Sequence, residues 1–251
     1  MKRDDLVTYL NDYLRVKAVK DESNNGLQVE GAGEVTRLAF AVDASLAAAE
    51  GAAEAGAQML VVHHGLFWGK PLMVTGTHHR RLKRLFEADV SLYGAHLPLD
   101  VHEEVGNNAV LARWLNLEDL RPFGEYQDVL LGTAGCLPAT VSLGEFAAQV
   151  EKMLEEQIIQ IWPFGPSNVR RVGIISGGAA DFLDQAAAAG ADVYLTGEVS
   201  HGSYHKAHEL GLNVVFGGHY ATETVGLKAL AEHLADKFDL ETIFLDLPTG
   251  A

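Results

Sequence analysis

Parts of this chain repeat each other at constant distances, and this internal repeat constrains the fold more than any other feature. VTRL at position 35 aligns with VRRV at 169, and AGAQMLVV at 55 aligns with AGADVYLT at 189, both at an offset of 134 residues. VSLYGAH, which ends at His96, aligns with NVVFGGH, which ends at His219, at an offset of 123 residues. Chance similarity between segments rich in alanine and glycine is the alternative, but two constant offsets favour a duplication.

Strand and helix patterns alternate along the chain, which predicts an α/β fold built from two interlinked, pseudo-repeated halves. We predict a first α/β half over residues 1–123 and a second over residues 167–251. Residues 124–166 carry a strand–helix–strand pattern, which predicts an insert. Within it, Ser142 and Glu145 have the spacing of a capping box at the start of a helix. Ser45 precedes an alanine-rich stretch and is expected to cap a second helix.

Two adjacent histidines follow an apolar strand pattern in MLVVHHGLFW, residues 59 to 68. Side chains alternate between the two faces of a strand, so His63 and His64 can serve one site only if the chain is already leaving the strand. Gly65 permits such a bend. Ligands of open α/β sheets bind beyond the carboxyl ends of the strands, where this pair is expected. The alternative is an inert histidine pair on the surface.

A histidine with a carboxylate four residues later follows one predicted strand in each half. His96 precedes Asp100 in AHLPLD, and His219 precedes Glu223 in GHYATE. Taken alone, Asp100 can be the cap of the next helix, and Glu223 can be a carboxylate stabilised in the first turn of one. The repeat of the pair at equivalent positions favours a functional role.

Together these residues predict a metal site. The five candidate ligands are His63, His64, Asp100, His219 and Glu223. Three imidazoles and two carboxylates are too many for one catalytic ion with an open position, but they suit two ions per subunit. Nitrogen and oxygen ligands without thiolates favour zinc, iron or manganese. His96, Glu198 and, less strongly, His201 are candidates for a general acid or base, or for groups that orient a ligand.

Six motifs resemble those of the dinuclear metal-centre hexameric proteins, known as GTP cyclohydrolase type 2 homologues or the NGG-interacting-factor-three-like family. They are NNGLQVEG, VVHHG, YGAHLPLD, GNNA, TGEVSH and GHYATE, and they extend from about residue 24 to 224. The resemblance is strongest to the short bacterial members. It implies two α/β halves with a dinuclear metal site in the cleft between them and a ring-shaped homohexamer. The family's metal ligands fall on the same five residues that the spacing indicates.

The resemblance implies a metal-dependent hydrolase of the cyclohydrolase type, which uses a metal-bound hydroxide on a nucleotide-like substrate. No phosphate-binding G-x-x-x-x-G-K-[ST] motif is present, so the motifs themselves do not indicate a triphosphate. Two alternatives stay open. One is a metal-dependent phosphoesterase or amidohydrolase, and the other is a metal-binding oligomeric scaffold or adaptor without catalysis.

Charge and composition narrow the range of partners. The chain of 251 residues has a net charge of −15, which makes nucleic acid an unlikely partner. A basic cluster from Lys70 to Arg84 can still attract a small anionic substrate; the alternative is a solvated helix face. The single cysteine, Cys136, excludes an intramolecular disulfide. No stretch has the pattern of a signal peptide or a membrane span, so we expect a cytoplasmic protein that does not bind membranes.

Overall fold

The computed structural model describes residues 1–250, which form an α/β protein with two β-sheets. The helices are α1 (Arg3–Tyr13), α2 (Leu46–Glu54), α3 (Gly76–Glu87), α4 (Leu97–Asp100), α5 (Asn107–Trp114), α6 (Leu143–Leu154), α7 (Leu183–Ala188), α8 (Tyr204–Leu210) and α9 (His219–Phe238). The strands are β1 (Gly26–Val29), β2 (Arg37–Asp43), β3 (Met59–His64), β4 (Ser91–Gly94), β5 (Glu118–Tyr126), β6 (Val129–Ser142), β7 (Gln160–Pro163), β8 (Asn168–Ile174), β9 (Val193–Thr196), β10 (Asn213–Phe216) and β11 (Glu241–Phe244). Within residues 1–250, no helix combines the length and the apolar character needed to cross a membrane.

Both predicted helix caps are confirmed. The Ser45 hydroxyl accepts a hydrogen bond of 3.0 Å from the amide of Ala48 at the start of α2. Ser142 and Glu145 form the reciprocal capping box of α6. Each cap satisfies backbone donors that have no partner inside the helix, and such a cap stabilises a helix by about 1 kcal/mol.

The first compact unit comprises Met1–Val105 and Gly226–Leu247. Its five-stranded sheet has the order β1-β4-β3-β2-β11. Strands β2, β3 and β4 are parallel, β11 adds in parallel to β2, and β1 pairs antiparallel with β4. Small side chains of α2, which include the buried Ala48, Ala49 and Ala52, pack in a cluster with buried residues of these strands, so the helix lies close to the sheet.

The second compact unit comprises Gly106–Val225 and the short tail from Pro248. Its six-stranded sheet has the order β5-β6-β8-β9-β10-β7. Strands β8, β9 and β10 are parallel, whereas β6 pairs antiparallel with β8 and β7 pairs antiparallel with β10. Each unit therefore repeats the same core, three parallel strands with an antiparallel strand beside the third. This arrangement agrees with the predicted pseudo-repeat and confirms the α/β class.

The unit boundaries differ from those expected at residues 123 and 167. Strands β5, β6 and β7 belong to the sheet of β8 to β10, so residues 124–166 are an integral part of the second unit. The end of the chain, which includes β11, joins the first unit because β11 pairs with β2. Backbone pairing between distant segments decides both boundaries, and the local sequence carries no signal of it.

Candidate metal centre

His63 and His64 end strand β3 and belong to the first unit. The amide of Ala44, just beyond β2, bonds to the carbonyl of His64, and Asp43 is the register partner of His64 across the parallel pair. His64 donates from Nδ1 to the Asp43 carboxylate at 2.9 Å. His63 is buried and donates from Nδ1 to the carbonyl oxygen of Ala95 at 2.9 Å. With Nδ1 donating to an oxygen in each ring, Nε2 is the nitrogen that can ligate a cation.

Gly65 and the side chain of Gln28 fix the bend that follows the two histidines. The amide of Leu66 donates to Gln28 Oε1 at 2.8 Å, and Gln28 Nε2 donates to the carbonyl of Asn24 at 2.7 Å. A Cβ on Gly65 would collide with the Gln28 amide, so the close approach requires glycine here. The NNGLQ motif therefore supports the histidine pair directly.

His96 and Asp100 follow strand β4, where His96 precedes the short helix α4 and Asp100 ends it. Asp100 Oδ2 lies 3.5 Å from His63 Nε2. The His96 ring donates from Nδ1 to the carboxylate of Asp21 at 3.0 Å. Burial would raise the pKa of Asp21, but the hydrogen bond and the charge of His96 outweigh burial and, with bonds from Asn25 and the Ser23 amide, lower it to about 2.

Three imidazoles of the first unit form a group that can hold a metal ion. One ring nitrogen from each of His63, His64 and His96 lies within 4.8 Å of the others. The ring centroid of His96 is 5.1 Å from that of His63 and 5.7 Å from that of His64. The indole of Trp68 meets the His96 ring edge to face at 4.9 Å and donates from Nε1 to the carbonyl of Gly65, so it forms one side of this group.

His219 and Glu223 occupy the first turn of α9 in the second unit. His219 Nε2 lies 3.2 Å from Glu223 Oε1, and His219 Nδ1 donates to Glu198 Oε2 at 2.8 Å. The hydrogen bond to Glu223 is the largest influence that raises the pKa of His219 to about 9; burial opposes it, and Glu198 adds to the rise. The proton that these carboxylates hold on the imidazole must leave when the nitrogen binds a cation.

The loop after β8 shapes the second group. Gly177 has a φ of +66°, and a Cβ at this position would collide with the carboxylate of Glu223. Its amide donates to Thr222 Oγ1 at 3.0 Å, and its carbonyl accepts from the amides of Gly197 and Glu198 at 2.9 and 3.0 Å. Gly177 thus ties the segment that carries Glu198 to the start of α9.

One pattern is common to all four histidines. An oxygen acceptor engages Nδ1 in each, and the acceptors are Ala95, Asp43, Asp21 and Glu198. This is how proteins orient metal-binding imidazoles, because the acceptor fixes the tautomer and leaves the Nε2 lone pair for the ion. With carboxylates close to two of these Nε2 atoms, the donor set fits zinc, iron or manganese.

The structure thus places three of the five predicted ligands in one group and two in another, each within its own unit. Glu198, a candidate acid or base, has its carboxylate on His219, and the exposed His201 begins a 3₁₀ turn. The sequence interpretation missed Asp43 and Asp21. Asp43 ends an apolar strand in the same way as His64, which is a signal that was available.

An α/β protein with two such groups of histidines and carboxylates is a candidate metalloprotein. The family pattern of Duf34/NIF3 (NGG1p interacting factor 3) matches residues 1–250, and the chain belongs to this family. It is 48% identical to the GTP cyclohydrolase 1 type 2 homolog of Deinococcus radiodurans, over 99% of this chain and 94% of that protein.

Two solved structures are similar over the full length of both chains. TTHA1606 from Thermus thermophilus has a TM-score of 0.92 at 45% identity. The protein ybgI, described as being of unknown function, has a TM-score of 0.94 at 40% identity. The family resemblance predicted from the motifs is confirmed.

Proposed function

We propose that this protein is a dinuclear-metal-dependent hydrolase that acts on a nucleotide-like anion. In this proposal two divalent ions are bound by His63, His64, Asp100, His219 and Glu223. The observation that carries it is the engagement of Nδ1 on an oxygen acceptor in His63, His64 and His219, with a carboxylate oxygen 3.5 and 3.2 Å from two of the Nε2 atoms.

Bound divalent ions supply Lewis acidity and lower the pKa of coordinated water, which is the chemistry that hydrolysis at neutral pH requires. Several residues of the chain hold the proposed metal ligands in position. Asp43 and Glu198 hold the imidazoles of His64 and His219 in one tautomer, and Gln28 holds the bend at Gly65. Glu223 is buried, so its carboxylate is directed by the fold rather than by solvent.

An anionic substrate is supported by the charge of α3, which begins shortly after the histidine pair. Arg80 and Lys83 are exposed on this helix, and Arg84 is half-buried. Such a cluster can attract an anion despite the net charge of −15 of the whole chain. GTP is the first substrate to test because relatives bear the name GTP cyclohydrolase 1 type 2 homolog.

A second candidate function is a metal-binding scaffold without catalysis, assembled as a homohexamer. The observation that favours it is an exposed apolar surface around α3. Met73 is 77% exposed, Val74 is 53% exposed and Phe86 is 62% exposed. Large exposed apolar side chains of this kind are typical of protein-binding surfaces. Light scattering at micromolar concentration tests the assembly, and a monomer would contradict it.

Metal analysis followed by a turnover screen tests the hydrolase. Purified protein is reconstituted with zinc, manganese or iron(II), and the bound metal is counted by elemental analysis. We expect two ions per chain, clear metal loss in His63→Ala and full retention in the control His205→Gln, which alters an exposed histidine of α8. Hydrolysis of GTP or another nucleotide should require the metal and disappear in Glu223→Ala.

The outcomes separate the two candidates. Loaded protein that hydrolyses no nucleotide, phosphodiester or amide, yet binds a specific protein, supports the scaffold. Full metal content in His63→Ala would contradict the ligand assignment itself.

A further inference from the structure

We infer that His96 is a sixth metal ligand and that Asp21 is the residue that positions it. The inference rests on the proposed metal centre and adds to it. The sequence alone left His96 as an acid, a base or an orienting group, and the five proposed ligands do not include it. With His96 the first unit presents three imidazoles to one ion.

Asp21 is a buried carboxylate that holds the ring of His96. Its side chain is only 3% exposed. It accepts from His96 Nδ1 with both oxygens at 3.0 Å and from the amide of Leu97, the next residue, at 3.0 Å. It also accepts from Asn25 Nδ2 at 2.8 Å and from the Ser23 amide at 3.0 Å. Burying a carboxylate is costly unless it is well bonded, and here both carboxylate oxygens accept from the ring of His96.

Asn25 holds the backbone of the same histidine. Its Oδ1 accepts from the His96 amide at 2.7 Å, while its Nδ2 bonds to Asp21. The ring and the main chain of His96 are therefore both fixed by one short segment near the start of the chain. A ligand held in this way loses little further freedom when an ion binds.

The position of the ring favours ligation over acid–base catalysis. Three nitrogens that each lie about 2.1 Å from one tetrahedral ion are about 3.4 Å apart. The ring nitrogens of His63, His64 and His96 already lie within 4.8 Å of one another, so shifts of up to about 1 Å each bring them onto a common ion. An acid or base should instead be aimed at a substrate. His96 has other imidazoles on one side and Trp68 at its edge.

A crystal structure of the wild-type full-length protein loaded with zinc tests the ligand directly. We expect anomalous density for an ion about 2.1 Å from His96 Nε2 and from at least one of His63 and His64. An ion on His63 or His64 with His96 Nε2 more than about 3 Å away would overturn the inference and leave the proposed function intact. Loaded crystals without an ion at these histidines would overturn both.

Metal affinity tests the role of Asp21. Zinc is titrated against a chromophoric chelator for wild type, Asp21→Asn, His96→Gln and the control Asp12→Asn, which alters an exposed carboxylate of α1. Removing the partner of a ligating histidine lowers affinity about 10- to 100-fold. Asp21→Asn keeps an oxygen acceptor but loses the charge, so we expect a loss of about tenfold for it and a larger loss for His96→Gln. The visible spectrum of the cobalt(II) form should change in both variants and not in the control.

Asp21→Asn has nearly the same shape as the wild-type residue and keeps an oxygen acceptor, so it is the variant most compatible with folding. Circular dichroism establishes that each variant is folded before titration. Wild-type affinity and an unchanged cobalt spectrum in folded Asp21→Asn would overturn the positioning role. If Asp21→Asn does not fold, Asp21→Glu replaces it and is judged by the same two readouts.

Discussion

Replacing Asp43 should weaken metal binding without unfolding the protein, because its carboxylate is the partner of His64. The Nδ1–Oδ1 distance is 2.9 Å, and the Asp43 side chain is 43% exposed. The contribution of so exposed a pair to folding is small, on the order of 1 kcal/mol or less. Its effect on the metal is larger: loss of an orienting carboxylate costs about 10- to 100-fold in affinity, which corresponds to about 1.4–2.7 kcal/mol.

The assay compares Asp43→Ala with Glu241→Gln. Glu241 pairs with Arg37 on the same sheet, is more exposed than Asp43 and lies on β11, so its loss should leave metal affinity unchanged. Zinc affinity is measured by chelator competition and stability by urea unfolding of the metal-free proteins. We expect both variants to lose at most about 1 kcal/mol of unfolding free energy. Only Asp43→Ala should lose affinity, and Asp43→Asn, which keeps an oxygen acceptor, should fall in between.

An Asp43→Ala protein that binds zinc within about twofold of wild type would refute the reasoning, because His64 would then need no partner to act as a ligand. Equal losses of affinity in Asp43→Ala and Glu241→Gln would refute it differently. They would show that the effect comes from the sheet rather than from the imidazole.

Three further predictions concern other parts of the chain. Gly177→Ala should lose about 1–2 kcal/mol of unfolding free energy because residue 177 has a left-handed backbone conformation. It should also release zinc because the new Cβ forces Glu223 to move, and unchanged metal content would contradict this. Asp192 is half-buried, and burial alone would raise its pKa, but the bonds from Arg171 and the neighbouring amides lower it. The contribution of Asp192 to the stability of the folded protein is therefore complete above about pH 4 and is lost as the pH falls through the lowered pKa. Urea unfolding should therefore show a larger deficit of Asp192→Asn at pH 7 than at pH 2.5. Arg80→Ala should raise KM for an anionic substrate more than it lowers kcat, and an effect confined to kcat would argue against steering.

The sequence predicted the histidines well and their partners poorly, and the reason is the distance along the chain. His63, His64 and Gly65 are neighbours, so a local pattern of strand, histidine pair and glycine identifies them. The partner of His64 is 21 residues earlier, and the partner of His96 is 75 residues earlier. Such contacts depend on which strands pair and in which register, and a single sequence does not contain that information.

Two strands were missed for a related reason. EDLRPFGEY in β5 contains proline, glycine and four charged residues, so it lacks the alternation that predicts a strand. It forms a strand because β6 pairs with it over much of its length. The four residues of β11 are too few for a pattern, and pairing with β2 decides their conformation. In both places tertiary contacts override weak local preference.

The same spacing of histidine and carboxylate gives a different geometry in each unit. In both units a histidine stands at the start of a helix and a carboxylate follows four residues later, as His96 with Asp100 and His219 with Glu223. In α9 the helix continues for 20 residues, and its first turn brings Glu223 to 3.2 Å from His219. In the first unit the helix has 4 residues, and Asp100 lies beside His63, which belongs to a different strand.

The orienting groups differ as well. Glu198 follows β9 and serves His219, whereas Asp21 comes from a segment before β1 and serves His96. In both units a helix precedes this strand, but residues 14–25, which include Asp21, separate α1 from β1, whereas only residues 155–159 separate α6 from the equivalent strand β7. The pairs of histidine and carboxylate are thus repeated in the two units, whereas the groups that orient their imidazoles are not. For this reason the metal affinities of Asp21 and Asp43 variants test the site more sharply than further substitution of the histidines.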